Sequence, residues 1–207
     1  MFKWLLMVPV NIFFILLAFL TNFIVCLFAD ENGELPGLLR LWQTYDNNLD
    51  SEFFVKEKMP KFLRYDFDKH YRTRRRFIPD GSIDHDYTEI IDPVFTKWEK
   101  FQRYCCRVGW VMRNPAYGFA FYLLGTTYIG SNNTVISNYR DENRSLFFSF
   151  DKSNQSVWNG PFCIHFEWKY SKTRRFKMYL GWKTKATGGN VPIRAQMALN
   201  ISPYKPI

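Results

Sequence analysis

Only three histidines and four cysteines stand among 207 residues, so metal and thiol chemistry have few donors to draw on. Three of the cysteines, Cys105, Cys106 and Cys163, lie outside the apolar N-terminal stretch, and two of them are adjacent. An odd, unevenly spaced set is not the framework of a secreted disulfide domain, and it favours a reducing, cytoplasmic setting. Phosphate-binding glycine loops, the nucleophile elbow, the kinase signatures and the dinucleotide fingerprint are all missing. Those absences remove the common enzyme classes. Internal repeats and low-complexity tracts are missing too, and a 19% aromatic content excludes disorder.

Charge is absent from one place above all. Trp4 to Ala29 is uncharged and largely apolar. About 20 apolar residues in helical geometry cross the hydrocarbon layer of a bilayer, so this run predicts a membrane-spanning helix. A cleaved signal would have a shorter apolar core and small residues before the cut. Leu27-Phe28-Ala29 does not supply them. Asn11 and Asn22 are placed about three helical turns apart and share a face, where amides can bond a second membrane helix. Residues 1–30 are therefore read as an anchor.

Beyond the anchor, residues 31–92 read as an irregular, partly helical juxtamembrane region. Leu35 to Trp42 has the Leu, Trp and Arg of an interfacial piece. Residues 93–207 read as a helix plus an antiparallel β domain. Asp92-Pro93 predicts a capped helix start, with Val94, Trp98, Phe101 and Tyr104 or Cys105 on the buried side of a helix over 93–106. The period then changes from 3.6 to 2. Ile164, Phe166, Trp168 and Tyr170 alternate with Cys163, His165, Glu167 and Lys169; a similar alternation runs through 175–183 and 193–201. With 145–150 and 117–129 these segments predict a meander of about five strands. The expected class is α+β: a transmembrane helix, then one or two helices and an antiparallel sheet.

The net charge of +9 comes from 28 Lys and Arg against 19 Asp and Glu. Nine of the 28 fall between Trp168 and Ile207, a stretch without a single acid, and they equal the whole excess. Alternation places Lys169, Arg175, Lys177, Lys183 and Arg194 opposite the apolar side, as one positive surface for anionic head groups or an acidic partner. Tyr179 and His165 interleave with these bases, so nucleic acid is an alternative ligand. The basic cluster from Lys69 to Arg76 lies among acids and reads as a surface loop.

Two further constellations bear on chemistry. Asp66, Asp68, His70, Asp84, His85 and Asp86 offer oxygen and imidazole ligands for a divalent cation, the basis of an alternative reading as a membrane-tethered metal-dependent hydrolase. Their spacing matches no established metal loop, and no cofactor is called for. Cys163 and His165 share a face, but no C-x-x-C knuckle accompanies them, and two ordinary strand residues are the simpler reading.

The stretches FADENGELP, LWQTYDNNLD, RNPAYGFAFYLLG and RAQMALNISPYKPI together resemble a group of small membrane-anchored proteins encoded by tailed bacteriophages and prophages. The resemblance implies a bacterial host, in which the four Asn-x-Ser/Thr sequons carry no sugar. It brings no assigned catalytic or binding residue. The reading that follows is a single-pass, non-enzymatic protein of the host inner membrane. Its β domain lies on the cytoplasmic side and shows a basic face to lipid or a partner. Within the resemblance, Asp46 to Asp50 and Asn114 to Gly118 are the segments expected at a special site, functional or architectural.

Overall fold

In the computed structural model, which describes residues 1–44, 48–77, 83–129, 133–151, 160–184 and 192–206, the apolar run forms helix α1 (Phe2–Val25) and ends in a 3-10 turn over Cys26–Phe28. It is long and apolar enough to cross a membrane. Only 28% of its most apolar stretch is buried, whereas the core helix of a soluble protein is covered on most sides. Trp4, Asn11, Ala18, Asn22 and Val25 are its buried positions, and Leu5, Leu6, Phe13, Leu16, Leu20 and Phe23 are exposed. The buried set follows steps of three, four and seven, so one stripe of the helix is taken up by the chain itself.

The chain divides into two units, residues 14–118 and residues 1–13 with 119–207. In the first, short helix α2 (Phe67–His70) leads into strand β1 (Tyr71–Phe77), which pairs with β2 (Ile83–Ile90). The basic segment expected as a loop is thus one side of a hairpin. Its run of arginines hid the alternation that marks a strand. Helix α3 (Lys97–Arg113) follows, in the same unit, although the sequence grouped it with the later strands.

Helix α3 corrects two expectations. It starts at Thr96 rather than Asp92, because Thr96 and Glu99 form a reciprocal capping box, with the Glu99 N–H donating to Thr96 Oγ1 and the Thr96 N–H to Glu99 Oε2. Asp92 instead accepts from the Val94 N–H. The buried side carries Gln102, Arg103, Cys106, Arg107 and Val111, while Val94, Trp98 and Phe101 are exposed. The reason is a carboxylate. Asp50 is buried opposite the helix and holds the guanidinium groups of Arg103 and Arg107. Aromatic packing surrounds them: Phe95 stacks on His70 at 3.9 Å, and Arg103 lies over Phe95 at 4.6 Å.

The Asn114 to Gly118 segment closes this unit. Ala116 adopts a left-handed backbone (φ 56°), and a Cβ on Gly118 would stand 2.6–2.8 Å from the carbonyl oxygens of Arg40, Leu41 and Gln43. Close approach of two backbones is what this glycine permits. Gly118→Ala is expected to cost about 1–3 kcal/mol by overpacking, measurable as a lowered denaturant midpoint in detergent. Asp50, the end of the other special segment, meets Arg103 and Arg107 instead, and Asp46 and Asn47 lie outside the described residues.

In the second unit, a π-helical turn over Phe119–Leu123 precedes β3 (Thr126–Ile129), where a strand from 117 was expected. Next come β4 (Asn133–Arg140), β5 (Arg144–Asp151), β6 (Phe162–Lys169), β7 (Arg174–Trp182), β8 (Pro192–Ala195) and β9 (Met197–Pro206). The expected strand over 193–201 is two, interrupted at Gln196: β8 pairs with β3, and β9 with β7. The order β4-β5-β6-β7-β9 gives one antiparallel five-stranded sheet. α+β describes the whole.

Candidate anion-binding face

Alternation gives the five-stranded sheet two unlike sides. On the polar one, His165, Glu167 and Lys169 of β6 stand opposite Tyr179, Lys177 and Arg175 of β7. Arg175 in turn faces Lys205 of β9, and a bulge between Arg175 and Lys177 sets Lys177 opposite Ser202. Glu167 is the carboxylate at the centre. It accepts from Arg175 Nη1 at 2.8 Å and pairs with Lys177 Nζ at 3.0 Å, and His165 Nε2 lies 3.2 Å from its Oε1. The imidazole stacks on the Tyr179 ring at 4.8 Å.

The electrostatics follow from this crowding. Burial would raise the pKa of Glu167, but the bond from Lys177 and the charges of Lys177 and Arg175 hold it below its ordinary value. His165 is pushed down by burial and by Lys177, so it is neutral at pH 7. Lys205 is also lowered, by burial and by Lys177 and Arg175. An ammonium that gives up its proton more readily beside other cations registers a local positive excess. Two cations share one carboxylate, and a third stands opposite Arg175.

A cleft of about 500 Å³ opens beside the cluster, lined by the β4–β5 connection and by His165, Glu167, Lys169 and Arg175. Arg140 and Arg144 add two guanidinium groups to its wall. Asp141 is occupied within the turn, accepting from the backbone N–H of Asn143 and Arg144. Cys163 faces the same side but is buried and donates to the Tyr179 hydroxyl, and burial raises its pKa. A protonated thiol and a histidine held by Glu167 form no nucleophile–base pair. The arrangement gathers cations beside a cleft on one side of the sheet.

Of the five basic residues expected on one surface, the fold gathers Lys169, Arg175 and Lys177. Lys183 lies just past the end of β7, its N–H bonded to Gln196 O. Arg194 is on β8, outside this sheet, and its guanidinium donates to the carbonyls of Phe121 and Tyr122 at 2.7 Å each. It fastens the π-helical turn. Lys205 takes its place in the cluster, reached by continuing alternation past Pro203 and allowing for the bulge.

Three of the metal candidates, Asp66, Asp68 and His70, are taken up in structural tasks. Asp66 caps α2 by accepting from the Lys69 N–H, and Asp68 pairs with Lys56 at 2.6 Å. The buried His70 ring places Nδ1 2.9 Å from Asp92 O and Nε2 3.2 Å from Glu99. For Asp84, His85 and Asp86, only the backbone of β2 is among the described features; His85 is opposite Arg76 and Asp86 opposite Arg75. Among the described residues, no three His, Cys, Asp or Glu side chains converge as a metal site. Asn11 and Asn22 are both buried.

A family model described as a family of unknown function (DUF7338) matches residues 1–207. The chain belongs to that family. No curated protein and no solved structure shows a significant match. The DUF7338 match takes in helix α1, the Asp50 cluster and the polar side of the five-stranded sheet alike, since it runs over the whole chain.

Proposed function

We propose that this DUF7338 protein is a non-enzymatic protein of a bacterial inner membrane, phage-encoded, that is held by α1 and presents a basic β face to an anionic partner. The observation that carries the reading is the pairing of Arg175 and Lys177 with Glu167 and the placing of Lys205 opposite Arg175, with the Lys205 pKa lowered by burial and by these two cations. Clustered cations beside a cleft are an arrangement for binding phosphate or carboxylate groups. α1 supports the location, being apolar, exposed over most of its surface and sufficient in length. The absence of an enzyme signature in the sequence supports the non-enzymatic part.

Replacing Lys169, Arg175 and Lys177 together by Glu tests it. Each basic residue near an anionic surface contributes about 1 kcal/mol, so capture of phosphatidylglycerol vesicles by the full chain in neutral-lipid nanodiscs should fall at least ~10-fold. Capture by the unaltered chain should also weaken as salt rises, within a screening length of about 10 Å at 0.1 M. Equal capture by both chains would remove the basic face from the function.

A further inference from the structure

The basic side of the sheet has an apolar counterpart that the proposed function leaves unused. Phe162, Ile164, Phe166 and Trp168 on β6 share a face with Trp182, Leu180, Met178 and Phe176 on β7 and with Met197, Leu199 and Ile201 on β9. At one end this face is closed. Phe162, Trp182 and Met197 are buried there, and the anchor helix supplies the cover: Trp4 meets Phe162 edge-on at 5.7 Å, and its indole N–H donates to Ala198 O at 3.2 Å. From that end outward the rows open to solvent, reaching Trp168 at 45% and Ile201 at 60% exposure. Tyr170, Arg174 and Tyr204 stand at the open end, with Arg174 over the Tyr204 ring at 5.9 Å.

Soluble proteins seldom leave so large a contiguous apolar area uncovered. Its occupant is indicated by what adjoins it. The first turns of α1, whose Phe2, Leu5 and Leu6 point outward, sit on the closed end of this same face. The exposed apolar surface of the first turns of α1 and the half-buried apolar face of the sheet are therefore continuous within one unit. The open end carries Trp, Tyr and Arg, the side chains that settle at the boundary between head groups and acyl chains.

We propose that the apolar face of the five-stranded sheet and the first turns of α1 packed on it lie together in the interfacial layer of one bilayer leaflet, so that the sheet is a second membrane contact and its basic face is turned to water. The inference rests on α1 residing in lipid, and it narrows the anionic partner to one arriving from solution. Lys177 and Glu167 then face away from the leaflet on which the sheet rests.

Neighbouring residues of β9 provide the test, since Asn200 and Ile201 project to opposite sides. The environment-sensitive dye NBD is attached to Ile201→Cys, Asn200→Cys or Tyr204→Cys in the full chain, each with Cys105→Ser because the other three cysteines are buried. The chain is reconstituted in phosphatidylcholine nanodiscs containing doxyl-labelled lipid. Dye at 201 and 204 should be quenched at least ~3-fold more than dye at 200, by the interfacial depth of aromatic and apolar side chains. Equal quenching at 200 and 201 overturns the proposal. So does a dye at 201 that is shielded only as protein concentration rises and ignores doxyl lipid, which marks a second copy on this face. A dye on Leu16→Cys of α1 separates the two layers of inference: quenching at 16 without quenching at 201 leaves the anchor and removes the sheet contact, whereas no quenching at 16 removes both.

Discussion

Asp50→Ala is expected to destabilise the 14–118 unit by about 3–5 kcal/mol, the range for removing one partner of a buried ion pair. Against a total stability of 5–15 kcal/mol for ordinary proteins, that loss leaves a large unfolded fraction. The Asp50 side chain is wholly buried, and it accepts from Nε and Nη2 of both Arg103 and Arg107 at 2.7–3.2 Å. The same guanidinium groups also donate to the carbonyls of Glu31 and Asp30 just beyond α1. Alanine would strand two cations with their carboxylate gone. Replacing Asp50, Arg103 and Arg107 together by Leu, Met and Met should recover much of the loss, since an apolar set of similar volume is often as stable as a buried ion cluster. Denaturant unfolding in detergent distinguishes the two variants. The pH dependence has a fixed sign. Burial alone would raise the Asp50 pKa, but the hydrogen bonds and charges of Arg107 and Arg103 hold it below its ordinary value. Its contribution is therefore complete above the ordinary carboxylate pKa of about 3.9 and is lost as pH falls through the lower folded value. Asp50→Asn should flatten that acid limb.

What the sequence displays and what it conceals divide along a physical line. An uncharged apolar run is legible because no tertiary contact is needed to interpret it. Strands β6 and β7 are legible because one side is apolar and the other charged, so a period of two survives in the text. The same logic fails at β1, where Arg72, Arg74, Arg75 and Arg76 occupy both parities. It misleads at α3 for the opposite reason. An apolar stripe of Val94, Trp98 and Phe101 points outward, and arginines point inward toward a carboxylate some fifty positions earlier, Arg103 being 53 residues from Asp50. Long-range ion pairing leaves no local periodicity. The basic face shows both outcomes: Lys169, Arg175 and Lys177 follow from alternation, but Gln196 breaks the last strand and removes Arg194 from the sheet. The bulge beside Arg175 brings in Lys205, which counting by twos along the apolar series from Ile193 would place on the other side.

Trp4→Ala is expected to cost the β unit about 3–5 kcal/mol, the usual loss for truncating a buried Trp. Trp4 is 7% exposed, lies edge-on to Phe162, and Phe162 lies edge-on to Trp182 at 6.0 Å. Truncation opens a cavity beside the Phe162 ring and leaves the Ala198 carbonyl without its indole donor. Trp4→Phe keeps most of the packing and should lose about 1 kcal/mol with the hydrogen bond. The comparison bears on location as well as stability. A signal sequence is discarded and contributes nothing to the mature fold, whereas a retained anchor whose first turn is part of the sheet's core cannot be cut away without unfolding the sheet. Unfolding curves of the full chain in detergent, followed through the β-sheet circular dichroism band, measure both variants. A Trp4→Ala curve that superimposes on the unaltered one would detach the helix from the β unit and return the N-terminal run to the signal-sequence reading.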